Sequence, residues 1–286
     1  MPLIYDEPAD KYHASGAHGI HSLMDFADRG PLFFQKRHVT KEWHREERSN
    51  AFDIGTAAHA LILEGAEAYA SRVAIRPDMY ANDKGEMKPW TMAANVCKTW
   101  VAAQEGRLIL SDGEDLMVQG MANAVRDHKQ ANDLLHTARP EVTCRIKLDG
   151  VPLQCRYDKL HPKHIVDLKT CDSITGFRRD VFKYHYDRQA AHYQHVLFEE
   201  TGEFLPFHFV VVEKSAPHRV GVYVLDAPVL ARAHSLNLAL IEKVRECYQK
   251  NAWPDGSVPT IQTVFLHSGP HWYRLFRFSV SLFAQP

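Results

Sequence analysis

The stretch from Glu141 to Thr170 most limits what this chain can become. Val142, Cys144, Ile146 and Leu148 alternate with polar residues, the period of a half-buried strand. Asp149-Gly150 follows, a hairpin turn by composition. A second run over 151–160 leads to His161-Pro162-Lys163-His164, where proline at the second of four positions suits a type I turn. A third run covers 164–169. The expected unit is a three-stranded meander. Closing the second turn pairs Asp158 with Asp167, and strand alternation puts Lys169 on the same face as Asp167. Carboxylates directly opposed across two strands repel. A hard divalent cation such as Mg2+, which prefers carboxylate oxygens, reverses that sign. The plain alternative has one aspartate capping the turn and the other solvated on an edge strand.

Around this unit the pattern is mostly helical. Residues 1–16 read as an extended or frayed arm. Ile20, Leu23, Met24 and Phe26 predict a helix over 19–29, stopped by Gly30-Pro31. Another helix is expected to open at Thr56 as N-cap and to carry His59, with Glu64 beyond it on the surface. A short strand within 72–76 and a loop over 77–91, rich in Pro, Asn, Asp and Gly, come next. Helices over 92–105 and 114–132 precede the meander. Beyond it lie a crossing segment at 174–186, a helix over 187–201 ending at Gly202, and an apolar strand at 207–212 paired with 219–226. A helix over 228–250 closes the series. Gln189 and Tyr193, four apart, share a helix face.

Bulk properties exclude several classes. Hydrophobic content of 45% and charged content of 24% are ordinary for a soluble globular chain. No apolar run approaches the roughly 18 residues of a membrane span. The N-terminus has neither a basic patch nor an apolar stretch, so the expected compartment is the cytoplasm. Five cysteines, Cys97, Cys144, Cys155, Cys171 and Cys247, form no C-x-x-C pair, which leaves neither a zinc site nor a disulfide framework. The net charge of −1 leaves no global basic footprint. Any nucleic-acid contact must rest on a local groove.

Four elements in order carry a resemblance. Asp158 and, nine residues on, Asp167-Leu168-Lys169 resemble the D…(D/E)-x-K signature of the PD-(D/E)XK nuclease superfamily. Upstream, Gly55-Thr-Ala-Ala-His59 is similar to the G-x-x-x-H element of RecB-like nucleases. Downstream, Gln189-Ala-Ala-His-Tyr193 is similar to their Q-x-x-x-Y element. The wording of 52–64 and 165–170 looks most like the RecE-type exodeoxyribonuclease VIII domain, over roughly residues 15–255. D-x-K alone is common; the four together are specific.

The resemblance implies an α+β restriction-endonuclease-like fold with an α/β/α core, a mixed central sheet flanked by helices. It implies one nuclease domain over 1–260: an arm and helices to 50, a helical part over 51–140, the core sheet with the Q-x-x-x-Y helix over 141–226, and a final helix over 227–260. Residues 261–286, aromatic and basic, form a tail of unassigned role. His59, Asp158, Asp167 and the backbone carbonyl of Leu168 would hold Mg2+, with Mn2+ able to substitute. Lys169 would position or deprotonate the attacking water. Gln189, Tyr193 and Thr170 would support the site and touch the DNA backbone. Glu141, which could reach a second metal, and Arg156 are further site candidates. Arg45, Arg48, Lys84 and Lys88 are candidates for phosphate contact.

By the same resemblance the substrate is a double-stranded DNA end, digested 5′ to 3′ to leave a 3′ single strand for a RecT-like annealing partner. The chain would form a homo-oligomeric ring, a trimer or tetramer, in a bacterial or phage-encoded setting without membrane contact. The alternatives are a single-strand or endonucleolytic enzyme of the same fold, and a catalytically silent DNA-binding protein.

Overall fold

The computed structural model describes residues 3–43 and 50–256. The N-terminal arm is tied down rather than frayed: Ile4 bridges to Thr143 and His18 to Leu153. Between them lies α1 (Ala9–Ala14). α2 (Ile20–Arg29) stops at Gly30, whose φ of 88° favours glycine, and Pro31 opens α3 (Pro31–Phe34). α3 continues as a π-helical turn over Gln35–Val39. α4 (Asn50–His59) begins well before the expected cap at Thr56, which therefore lies inside the helix. It runs on as a π-helical turn, Ala60–Glu64, and α5 (Ala66–Arg72) follows, an element the sequence reading lacked.

β1 (Val73–Ile75) is the predicted short strand. The predicted loop after it instead holds a hairpin, β2 (Met79–Ala81) with β3 (Met87–Pro89). Its turn is organised by Asn82, whose Oδ1 accepts from the amides of Lys84 and Glu86. After α6 (Asn95–Ala102), β4 (Leu108–Leu110) pairs in parallel with β1. The helix expected over 114–132 is two, α7 (Asp112–Asp127) and α8 (Lys129–His136). Ser111 and Glu114 start α7 with a capping box, and the His128 ring caps α8 by accepting from the Ala131 amide.

The meander is present. Asp149 and Gly150, at φ 46° and 94°, turn β5 (Arg139–Leu148) into β6 (Val151–His161), and His161 and His164 close the turn into β7 (His164–Cys171). A parallel neighbour requires a crossover. α9 (Phe177–Lys183) and α10 (Tyr186–Thr201) supply it and deliver β8 (Phe207–Glu213) alongside β7. β9 (Val220–Tyr223) completes a mixed sheet in the order β5-β6-β7-β8-β9, and α11 (Ala227–Lys250) follows.

Alternation along β7 and β8 feeds two apolar layers. Ile165, Phe207 and Phe209 pack with Leu23, Val196 and Ile241 from α2, α10 and α11. Val166, Leu168, Val210 and Val212 pack on the opposite face with Ala57, Met121 and Leu135 from α4, α7 and α8. The result is the α/β/α sandwich that the resemblance implied, with its sheet covered on both faces. Asp167 and Lys169 interrupt the apolar register on the α10 face. Met1–Asp255 forms one compact unit and Gly256–Pro286 a second, of which residues 257–286, with the proposed tail, lie outside the described residues. No helix among the described residues is long and apolar enough to cross a membrane.

Candidate active site

Asp158 is where the central sheet opens. The β5–β6 ladder pairs Pro140 with Lys159 and Val142 with Tyr157, but skips Glu141 and Asp158. The β6–β7 ladder runs from His161–His164 to Lys159–Val166 and stops before Asp158 and Asp167. The expected direct Asp158–Asp167 pairing is therefore not part of the ladder. Instead, Asp158 Oδ2 accepts the Leu168 N–H at 2.8 Å. That amide would otherwise serve the next rung, so the carboxylate itself holds the strands apart.

The sequence-predicted residues converge in this opening. His59, at the end of α4, places Nδ1 at 3.6 Å from Asp158 Oδ2. The Lys169 ammonium lies 2.5 Å from Asp167 Oδ2. Gln189, buried on α10, donates from Nε2 to Asp167 Oδ1 at 2.7 Å. Thr170, next along β7, lies where α4 passes: a Cβ on Gly55 would stand 3.6 Å from its Oγ1. Tyr193 packs edge-on against Tyr157, whose hydroxyl donates to the Tyr193 carbonyl at 3.1 Å. Gln189 and Tyr193 are only 6% and 8% exposed, so both hold the site from beneath and neither offers a surface to a DNA backbone.

Electrostatics follow from burial. It lifts Asp167 to about 6 against the pull of Lys169, and Asp158 is raised for the same reason. Burial alone would lower Lys169, but the two aspartates outweigh it and keep its ammonium above the usual range. Burial and the nearby Lys169 charge bring His59 down to about 4, so its imidazole is neutral at physiological pH.

Two flanking ion pairs complete the surroundings. Glu141 sits in a left-handed conformation, φ 53°, and meets Arg156 Nε at 2.5 Å. Burial and the neighbouring Asp158 raise the Glu141 carboxyl to about 7. The two further candidates are thus each other's partners. Glu64, expected on the surface, is half-buried and forms a two-pronged pair with Arg72. The π-helical turn carries it there, closed by Gly65 N–H to the Ala60 carbonyl at 3.1 Å. Sequence reasoning also missed Tyr186, whose ring centroid is 4.8 Å from Lys169 Nζ. Glu64 had a signal of sorts, five residues after His59 and so one π-turn away. Arg72 and Tyr186 had none. Lys84 is exposed at the β2–β3 turn, Lys88 pairs with Glu86 at 3.1 Å, and Arg45 and Arg48 lie outside the described residues.

Whether this donor set suits a divalent cation can be tested on its own atoms. Asp167 Oδ2 is sealed from solvent and, among the described residues, lacks a well-directed hydrogen bond although the ammonium is beside it. A buried and a half-buried carboxylate beside a neutral imidazole match the donors a divalent cation accepts. Among the described residues, however, no three His, Cys, Asp or Glu side chains form a ready-made centre. The donors are neighbours, with Lys169 standing in the place of a cation's charge.

Sheet order, splayed strands and the Asp158/Asp167/Lys169 set define a domain of the PD-(D/E)XK nuclease class. The chain belongs to the family described as a PDDEXK-like domain of unknown function (DUF3799), whose profile matches residues 35–259. Among solved structures, the chain is similar to a protein of Eubacterium rectale assigned as an exonuclease, with a TM-score of 0.62 and 17% identity over 88% of each chain. At that identity the likeness is one of fold. No curated protein matches the chain.

Proposed function

We propose that this protein is a divalent-metal-dependent deoxyribonuclease that hydrolyses phosphodiester bonds from duplex DNA ends. The observation that carries the reading is the convergence of His59, Asp158, Asp167 and Lys169 at the point where β6 leaves both of its neighbours. Asp158, Asp167, His59 and the Leu168 carbonyl are the groups that would hold Mg2+ or Mn2+. Such an ion polarises a phosphoryl oxygen and lowers the pKa of a bound water.

The chain's own residues do the rest. Gln189 fixes the Asp167 carboxylate by its hydrogen bond to Oδ1. Lys169, its ammonium 2.5 Å from Asp167 Oδ2, is placed to position the attacking water and to stabilise the anionic charge that develops on the phosphate. The Leu168 amide ties the Asp158 carboxylate to β7, and His59 lies beside that carboxylate. Digestion 5′ to 3′, a 3′ single-stranded product, a trimeric or tetrameric ring and an annealing partner extend the proposal on the strength of the resemblance to RecE-type domains.

The test is digestion of linear and covalently closed circular duplex, each with Mg2+ and with EDTA. The expected result is Mg2+-dependent loss of the linear form alone, abolished by Lys169→Ala while Mg2+ binding persists. Cutting of both forms would replace the exonuclease by an endonuclease. Full activity of Lys169→Ala would remove the catalytic assignment.

A further inference from the structure

An aromatic path leads from the reactive lysine to the surface. Tyr186 lies over Lys169, with 4.8 Å from Nζ to the ring centroid. Tyr184 lies next to Tyr186, their ring centroids 5.8 Å apart and their planes inclined by 38°. Lys183 Nζ in turn sits 4.7 Å from the Tyr184 ring. Unlike a core pair, Tyr184 is 52% exposed, and Phe182 beside it is 51% exposed.

The helix that carries Phe182 and ends at Tyr184 is basic. α9 reads Phe177-Arg-Arg-Asp-Val-Phe-Lys183, with Arg178, Arg179 and Lys183 against the one acidic Asp180. The Arg179 side chain is 82% exposed, and its nearest carboxylate contact is a stretched 4.0 Å to Asp180. Phe177 and Val181 are buried and hold the other side of the helix to the core. A chain otherwise near neutrality therefore concentrates cations and exposed rings on one short helix and its C-cap beside the site.

We propose that Tyr184 and Phe182, with Arg178, Arg179 and Lys183, form a stacking and phosphate-contact platform for the nucleotides of a single DNA strand adjacent to the bond being cut. The occupant follows from charge and continuity. A polyanion with aromatic bases matches cations interleaved with exposed rings, and the path ends at Lys169. An apolar protein partner would leave the excess of basic over acidic side chains on this segment without a counter-charge. Stacking accepts every base, so the platform holds the strand without reading its sequence. This inference rests on the nuclease reading given above and adds to it how the strand is held.

The measurement is binding of a short single strand carrying 2-aminopurine at its terminal base, in EDTA so that nothing is cut. The wild type is expected to bind and to quench the probe. Tyr184→Ala should bind about tenfold more weakly and lose the quenching, and Tyr184→Phe should retain both. Replacing Arg179 and Lys183 by alanine should lower the slope of log K against log salt by about 0.7 per charge. Circular dichroism confirms that each variant is folded. If the wild type digests DNA in Mg2+ but Tyr184→Ala binds and quenches as it does, the platform is overturned and the nuclease stands. If the wild type quenches the probe through Tyr184 yet cuts nothing, the nuclease falls and the platform stands. Absence of wild-type binding overturns the platform outright.

Discussion

Asp158 is a residue whose charge works against the fold that contains it. Its carboxylate faces Asp167 across the opened strands and adds to the burial that raises the Glu141 carboxyl to about 7. What the sheet needs from it is an acceptor for the Leu168 amide, and an amide oxygen supplies that as well. Asp158→Asn is therefore expected to leave stability unchanged or raise it by about 1 kcal/mol, because a buried repulsion is relieved. DNA digestion should fall at least about 100-fold, as when a preorganised charged group is lost. Urea unfolding and a digestion assay on one preparation decide it; lost stability with retained activity would mean a structural aspartate. Asp158, Asp167 and Lys169 were legible in the sequence because strand alternation and turn chemistry are local. Tyr186 and Arg72 were not, since only the path of the chain through α10 and α5 brings them to the site.

Among the elements, α4 and α7 pose the same question with opposite answers. Gly55 belongs to the G-x-x-x-H element and invites a steric explanation. Its φ is not positive, and an added Cβ would meet Thr170 Oγ1 at 3.6 Å, an ordinary contact. Gly55→Ala should thus stabilise the protein by about 0.5–1 kcal/mol through helix propensity and leave His59 in place. Gly120 on α7 differs: a Cβ would stand 2.7 Å from His218 Cδ2. That ring is anchored by a 3.0 Å hydrogen bond between Nδ1 and the Glu213 carbonyl. Gly120→Ala should lower stability by about 1–3 kcal/mol, read from the same urea curves. Equal effects at both positions would discard this account. The start of α4 escaped the sequence because the turn before Thr56 carries Ile54, whose packing with Val118 and Met121 of α7 is a tertiary contact that no local pattern marks. The β2–β3 hairpin escaped it because its strands are short and mostly exposed, without the alternation that marked β5.

On the scale of the whole molecule, the N-terminal arm determines whether the edge of the sheet is closed. β5 is an edge strand, and it carries Glu141 beside the site. An open edge invites pairing with other chains. Here Ile4 bridges to Thr143, and the Glu7 carboxylate receives both Nη1 and Nη2 of Arg145 at 3.0 and 2.8 Å. Arg145 Nε and Ser15 both donate to Gln154 Oε1, and Gln154 Nε2 donates to the Ala17 carbonyl, so the arm is fastened at successive points. The hydrogen bond from Arg145 holds Glu7 below its ordinary value of 4.5. A depressed carboxylate contributes stability that is fully present above its unfolded pKa and is lost as pH falls through its folded one. Glu7→Gln keeps the shape and removes the charge. At pH 7 it should cost about 1–2 kcal/mol, the worth of a charge-assisted pair in a partly buried setting. The gap between wild type and variant should narrow as pH drops below 4.5, because the wild-type carboxyl then takes up its proton. Paired urea titrations from pH 7 downward measure that gap directly. A gap that stays constant with pH would assign the arm's attachment to its backbone bridges and not to the Glu7 charge.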